Sequence, residues 1–244
     1  MATNYGNKSI VTDGLIWKVD AANPQSYIGS GTTCNSTIGN LDTIAFTGSL
    51  TNGVSHNSTG IKYFEFDGND DYIQFAANST VTQTNPLSLY GSTTATFEVW
   101  VAPDMTGDSY QRILCKTSAG GGGVGGWGMT IHGTGYTMFY DNGSGTPKSI
   151  GFTDSSGNAE KWAHIVATMD GDTKKIYKDG VLKSTKTLTT SFPTTAAGVR
   201  IGSWVHSSGR EYNGKLAVAS VYNTALSLEE ITQNYNALKS RFGL

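Results

Sequence analysis

Along most of the chain, apolar and polar residues alternate with a period of two, in short segments bounded by Gly, Asn and Asp. That period puts successive side chains on opposite faces of an extended backbone, so it predicts strands with one buried face. The first segment is Leu15-Ile16-Trp17-Lys18-Val19-Asp20 after Gly14, and the stretches Asn23 to Tyr27 and Gly29 to Gly31 read as a loop. In Tyr63 to Asp67, Phe64 and Phe66 share one face and Glu65 and Asp67 the other, before a turn at Gly68-Asn69-Asp70-Asp71 and a return through Tyr72 to Phe75. In Thr94 to Val101, Phe97, Val99 and Val101 lie opposite Trp100, a pattern expected where both faces are covered. Lys161 to Met169 and Lys174 to Lys183 are further strands, the latter folded at Asp179-Gly180, a pair suited to a type I′ hairpin that needs positive φ twice. Only near the C-terminus does the spacing become helical. Ser227-Leu228-Glu229-Glu230 forms a capping box, and Leu228, Ile231, Tyr235 and Leu238 form one apolar stripe, predicting a helix near residues 227 to 240 that stops by Gly243.

This pattern predicts an all-β, two-sheet antiparallel jelly-roll sandwich with a short C-terminal helix. The chain has 244 residues, a length that sandwiches commonly use as one unit, so one domain from residue 14 to 244 is expected after an N-terminal arm of residues 1–13. Composition agrees: 31 Gly and 12 Tyr with only 15% charged residues suit many strands joined by tight turns. A net charge of −2 with no Lys/Arg cluster disfavours nucleic acid as a partner. The longest apolar runs, such as Leu216 to Ala219, fall far short of the ~20 residues that span a bilayer, so no membrane span is expected. The start, Met1 to Lys8, has neither a basic nor an apolar signal region, pointing to a protein made in the cytoplasm without a signal peptide. Cys34 and Cys115 are too few for a disulfide scaffold; two free thiols are favoured over one bridge.

The order of motifs resembles the laminin-G-like group of concanavalin A-like lectin/glucanase domains. The residues that carry the resemblance are Phe64 to Ile73, Phe97 to Val101, Trp162 to Ala167 with Tyr177 to Gly180, Tyr212 to Leu216, and Val221 to Ser227. The segments Gly14 to Gly31 and Gln233 to Leu244 are, more narrowly, similar to laminin-G-like proteins of bacteriophages, especially those of marine and cyanobacterial hosts. The resemblance implies a concanavalin A-like sandwich, but such folds carry glycan-binding modules, virion parts and glucanases alike.

Glucanases of this fold use an E-x-D-x-x-E strand motif, because a retaining mechanism needs two carboxyls about 5 Å apart. Here Glu65-Phe66-Asp67-Gly68-Asn69-Asp70 ends in Asp, placed in the turn beyond the face that Glu65 and Asp67 share, so a solvated strand face and turn is the favoured reading. Gly123 to Gly128 matches G-x-G-x-x-G but lacks the following helix that a dinucleotide site requires, and reads as a loop. His56, His132, His164 and His206 lack metal-site spacing, and His164 between Trp162 and Val166 is expected to be a hydrogen-bonded strand histidine. Asp67, Asp70 and Asp71 offer hard oxygen ligands, and calcium is a candidate because relatives hold it, with turn capping as the alternative. Against calcium, an acidic residue often found in related domains is replaced by Ala217.

Sugar rings stack on exposed aromatic faces beside polar side chains. Trp127, Tyr136, Trp204, His206 and Arg210 have that character and are the candidate glycan contacts, with core or hairpin packing as the alternative for each aromatic. The leading expectation is a non-enzymatic virion protein, exposed on the particle as a capsid decoration, tail or fibre component. It would dock on other virion proteins or touch host-surface glycans. A soluble carbohydrate-binding module is the alternative and a β-glucanase-type glycoside hydrolase comes third, while homo-oligomer formation stays open.

Overall fold

The computed structural model describes residues 9–38, 46–81, 87, 89–105, 110–117, 126–141, 148–154, 159–189, 192, 197–204 and 209–244. The strands run, in chain order, β1 (Leu15–Asp20), β2 (Thr33–Asn35), β3 (Thr47–Thr51), β4 (Ser55–Asn57), β5 (Tyr63–Asp67) and β6 (Tyr72–Val81). Then come β7 (Thr94–Pro103), β8 (Gln111–Thr117), β9 (Gly126–His132), β10 (Gly135–Asp141) and β11 (Lys148–Thr153). The last are β12 (Ala163–Asp170), β13 (Thr173–Lys178), β14 (Val181–Thr187), β15 (Ala197–Ile201) and β16 (Asn213–Tyr222), followed by helix α1 (Leu228–Leu238) and a 3₁₀ turn (Lys239–Phe242).

The strands form the expected antiparallel sandwich. The first sheet is ordered β14-β13-β12-β7-β16-β5-β4, and the second β11-β10-β9-β8-β15-β6-β3-β2. Strand β16 is long enough for β5 to pair with Asn213 to Leu216 and β1 with Val218 to Tyr222. Between the sheets, Trp17, Phe64, Phe66, Phe97, Val99 and Ile165 meet Ile73, Phe75, Trp127, Met129, Tyr136 and Val199 in one core. The Asp179-Gly180 hairpin has φ of 53° and 77°, the two positive values a type I′ turn needs. Cys34 and Cys115 are both free and buried, as favoured.

The outer face of the first sheet is covered too, so β7 is buried from Ala95 to Pro103. The cover is α1, the 3₁₀ turn and residues 10–11. Trp100 stacks on His164, Tyr235 and Phe242 with ring centroids at 4.7, 5.9 and 4.3 Å. Ser227 caps α1 in the expected box, and Gly243 ends the 3₁₀ turn at φ 73°. The apolar stripe differs at its start. Leu228 is 49% exposed, and the buried positions are Ile231 and Asn234, because the first helical turn stands beyond the sheet while a polar residue faces a buried carboxylate.

That carboxylate is Glu98. Its Oε1 lies 2.7 Å from His164 Nε2, and its Oε2 accepts from Tyr222 Oη (3.2 Å) and Asn234 Nδ2 (3.0 Å). Asn234 Oδ1 in turn accepts the Val11 amide at 2.7 Å, tying the residues before β1 to the helix. His164 is thus the hydrogen-bonded strand histidine expected. The Gly-rich stretch is corrected: Gly126 to Gly128 belong to strand β9, and residues 118–125 lie outside the described residues.

Candidate functional site

Trp127 and Tyr136 are not surface residues. Both point between the sheets and are at most 1% exposed, so they offer no face to a sugar, and the packing alternative holds for them. Strand register explains the difference. Trp127 and Met129 pair across β9 and β10 with Tyr140 and Met138, and Met129 and Met138 share the inward face with Trp127, so Gly128 and Phe139 must face outward. His206 lies outside the described residues. Trp204 and Arg210, by contrast, come together over the outer face of the second sheet.

One row on that face runs Ser49, Gln74, Arg200, Cys115, Gly128, Phe139 and Ser149, each directly opposite the next. The missing side chain at Gly128 is what lets the Phe139 ring lie down, since a Cβ there would come within 2.6 Å of the ring and 2.9 Å of Cys115 Cβ. Arg112, next to a bulge in β8, lays its guanidinium over the Phe139 ring at 4.1 Å and 5.5 Å from the Trp204 ring. Arg210 approaches the same indole at 4.6 Å, and Arg200 covers the Tyr72 ring at 4.0 Å. Such cation–π contacts contribute about 0.5–2 kcal/mol each, more when desolvated.

The segment carrying Trp204 is stitched to the sheet. Cys115 Sγ donates to the Ser203 carbonyl (3.3 Å), Arg200 Nη1 donates to the Trp204 carbonyl (3.1 Å), and the Gly202 amide donates to the Ile113 carbonyl (3.0 Å). Arg200 Nε donates to Gln74 Oε1 at 2.5 Å. At the rim, Tyr110 stacks on His132 at 4.2 Å and 10°, with the Arg210 guanidinium 5.5 Å from its ring. Tyr110 holds φ at 74° while 42% exposed, a left-handed conformation that costs a tyrosine about 1–2 kcal/mol.

Among the described residues, no ion pair involves the arginines of this face: the pairs are Lys18–Asp20, His164–Glu98, Lys178–Asp154 and Arg241–Asp20, and none includes Arg112, Arg200 or Arg210. Arg112 is 7% exposed, and its buried Nε has no acceptor among the described residues. Burial pushes its pKa down to about 10, and the neighbouring Arg210 charge adds to this, although Cys115 and Tyr110 act in the other direction. It stays charged at neutral pH.

The second cluster is the turn between β5 and β6, where Asp67, Asp70 and Asp71 bring one ligand atom each within 4.8 Å of one another. Asp67 Oδ1 caps the turn by accepting the amides of Asn69 (2.9 Å) and Asp70 (3.4 Å), and Asp71 Oδ2 accepts the Asp67 amide (3.2 Å). Asp71 Oδ1 is buried without a hydrogen-bond partner among the described residues. Burial pushes this carboxyl up, the Asp67 amide opposes that, and the charges of Asp67 and Asp70 reinforce it. Three carboxylates with one orphaned oxygen fit a hard cation such as calcium as well as they fit a capped turn. Glu65 and Asp67 are exposed on β5, and Asp70 sits in the turn as expected.

A family model described as the concanavalin A-like lectin/glucanases superfamily, of the laminin G type, matches residues 67–232. The chain belongs to this superfamily. Its lectin-like sandwich is shared with the binding domain of botulinum neurotoxin serotype G, at a TM-score of 0.67 and 16% identity over 91% of this chain and 50% of the toxin domain. The binding domain of botulinum neurotoxin DC in complex with SialylT is similar at 0.65 and 14%, over 93% and 52%. A Trypanosoma rangeli sialidase in complex with sialic acid is similar at 0.66 and 15%, over 96% of this chain but 34% of the sialidase. The chain therefore spans about half of those toxin domains and a third of that enzyme. No curated protein matches it.

Sequence reasoning found Trp204 and Arg210 but missed Arg112, Arg200, Phe139, Tyr72, Tyr110 and His132. Alternation along β10 could have put Phe139 on the outward face, but strict alternation along β8 would put Arg112 on the inward face of Leu114 and Lys116, and the bulge between Arg112 and Leu114 turns it outward. Their stacking depends on strand register and on the gap at Gly128.

Proposed function

We propose that the chain is a non-catalytic recognition domain that binds carbohydrate on the outer face of the second sheet. The observation that carries this reading is the half-buried Trp204, whose backbone carbonyl accepts from Arg200 and whose indole is flanked by two further arginines, with the Tyr110–His132 stack at the rim. Aromatic faces beside fixed polar donors are what sugar recognition uses. Support for a non-catalytic role comes from the His164–Glu98 pair, which is sealed beneath α1. A glycan array and titration calorimetry test the reading. Trp204→Ala should abolish glycan binding with little loss of melting temperature, and an array on which the wild-type protein binds nothing would refute it.

A second reading, docking on a virion through the same face, is favoured by its composition. The cluster is built of Arg, Trp, Tyr and Phe without Lys, the bias of interface hot spots. The similarity of Gly14 to Gly31 and of the C-terminal segment to bacteriophage proteins supports a virion setting. Particles lacking the protein should then bind it, and should not bind Trp204→Ala.

A further inference from the structure

A stacked guanidinium keeps its charge but loses much of its water, and without an anion that loss is not compensated. Three such groups converge around Trp204. Arg112 lies between the Phe139 and Trp204 rings, Arg210 faces the same indole, and Arg200 donates to the Trp204 carbonyl. No carboxylate among the described residues neutralises them; Glu211, beside Arg210 in sequence, accepts the Gly209 amide instead at 2.7 Å. Arg112 Nε in particular is a buried donor without an acceptor among the described residues. Among the described residues, Arg200 donates to neutral acceptors, Gln74 Oε1, Ser203 Oγ and the Trp204 carbonyl. The cluster is therefore built and fixed in place, with no counter-charge among the described residues.

We infer that this face takes an acidic sugar, its carboxylate or sulfate held by the Arg112, Arg200 and Arg210 guanidinium groups and its ring set against Trp204. The inference rests on the carbohydrate-binding reading and specifies its ligand. Planar guanidinium forks suit both oxyanions, which they bind in bidentate fashion. Neutral sugars would leave the three charges as they are.

The test is an array of neutral, carboxylated (sialylated and uronate-containing) and sulfated oligosaccharides, followed by titration of the best binders with wild-type protein, Arg210→Gln and Trp204→Ala. Arg210 is chosen because its side chain stacks on rings and makes no hydrogen bond among the described residues, so the fold should tolerate the change. Acidic glycans should bind, with affinity falling at least tenfold in Arg210→Gln and falling again as sodium chloride rises from 0.1 to 0.5 M. The salt titration needs no variant, so it stands even if Arg210→Gln folds poorly. The carboxylated and sulfated arms distinguish the two anions. Binding to neutral glycans that is lost in Trp204→Ala but unchanged by salt and by Arg210→Gln would overturn the inference and leave the carbohydrate reading intact. An array with no binder would sink both. Equal affinity for single-stranded DNA would overturn it as well, by showing a general polyanion surface.

Discussion

Replacing Lys116 by Met should stabilise the protein at neutral pH, and the gain should shrink as the solution becomes alkaline. Lys116 lies on β8 opposite Trp127 of β9 and Val199 of β15, both core residues, so its side chain enters the space between the sheets and is fully buried. Burial pulls its pKa down to about 8 from an ordinary 10.5. The unfolded chain therefore keeps this proton to a higher pH than the folded one. Between those values the unfolded state binds more protons, so stability rises with pH across that window. A shift of this size corresponds to a cost of about 3 kcal/mol at pH 7 for holding the ammonium inside, falling to about 1 kcal/mol at pH 9.5. Methionine fills a similar volume without charge. Urea unfolding of wild type and Lys116→Met at pH 7.0 and 9.5 measures the difference directly, and other groups that titrate in both proteins cancel. A variant less stable than wild type at both pH values, or a difference that does not narrow, would refute the argument that burying the Lys116 ammonium costs stability.

Further perturbations probe the rest of the molecule. Glu98→Ala leaves His164, Tyr222 and Asn234 without their shared acceptor and should cost about 3–5 kcal/mol in urea unfolding, whereas a loss under about 1 kcal/mol would show that the network does not pin α1 to the sheet. Gly128→Ala would put a methyl 2.6 Å from the Phe139 ring; it should cost about 1–3 kcal/mol of overpacking and weaken glycan binding, and unchanged binding would separate Arg112 stacking from recognition. Ser227→Ala should lower stability by about 1 kcal/mol by removing the cap of α1, which thermal unfolding reads directly. Millimolar calcium should raise the melting temperature of wild type but not of Asp71→Ala, and a wild-type melting temperature that ignores calcium assigns the Asp67–Asp70–Asp71 turn to capping alone.

What lies within a few residues along the chain was legible in the sequence. The two-residue period gave the strands, Asp179-Gly180 gave the hairpin with its two positive φ values, and Ser227 with Glu230 gave the start of α1. Each of these is set by neighbouring side chains and backbone sterics. The order of motifs then pointed to the superfamily. Alternation separates the two faces of a strand but does not say which face meets the other sheet. That is why Trp127 and Trp204, equally plausible on paper, part company, one wholly buried in the core and the other half-buried among arginines. The same limit hid Lys116, which lies among core residues, and Leu228, which does not. Arg112 reaches Phe139 only because β8 pairs with β9 through a bulge beside Arg112 and a glycine of β9 leaves room for the ring, and Glu98 finds His164, Tyr222 and Asn234 only when three distant stretches of chain pack together. Burial and charge at these positions depend on contacts between residues far apart in sequence, so tertiary structure alone decided them.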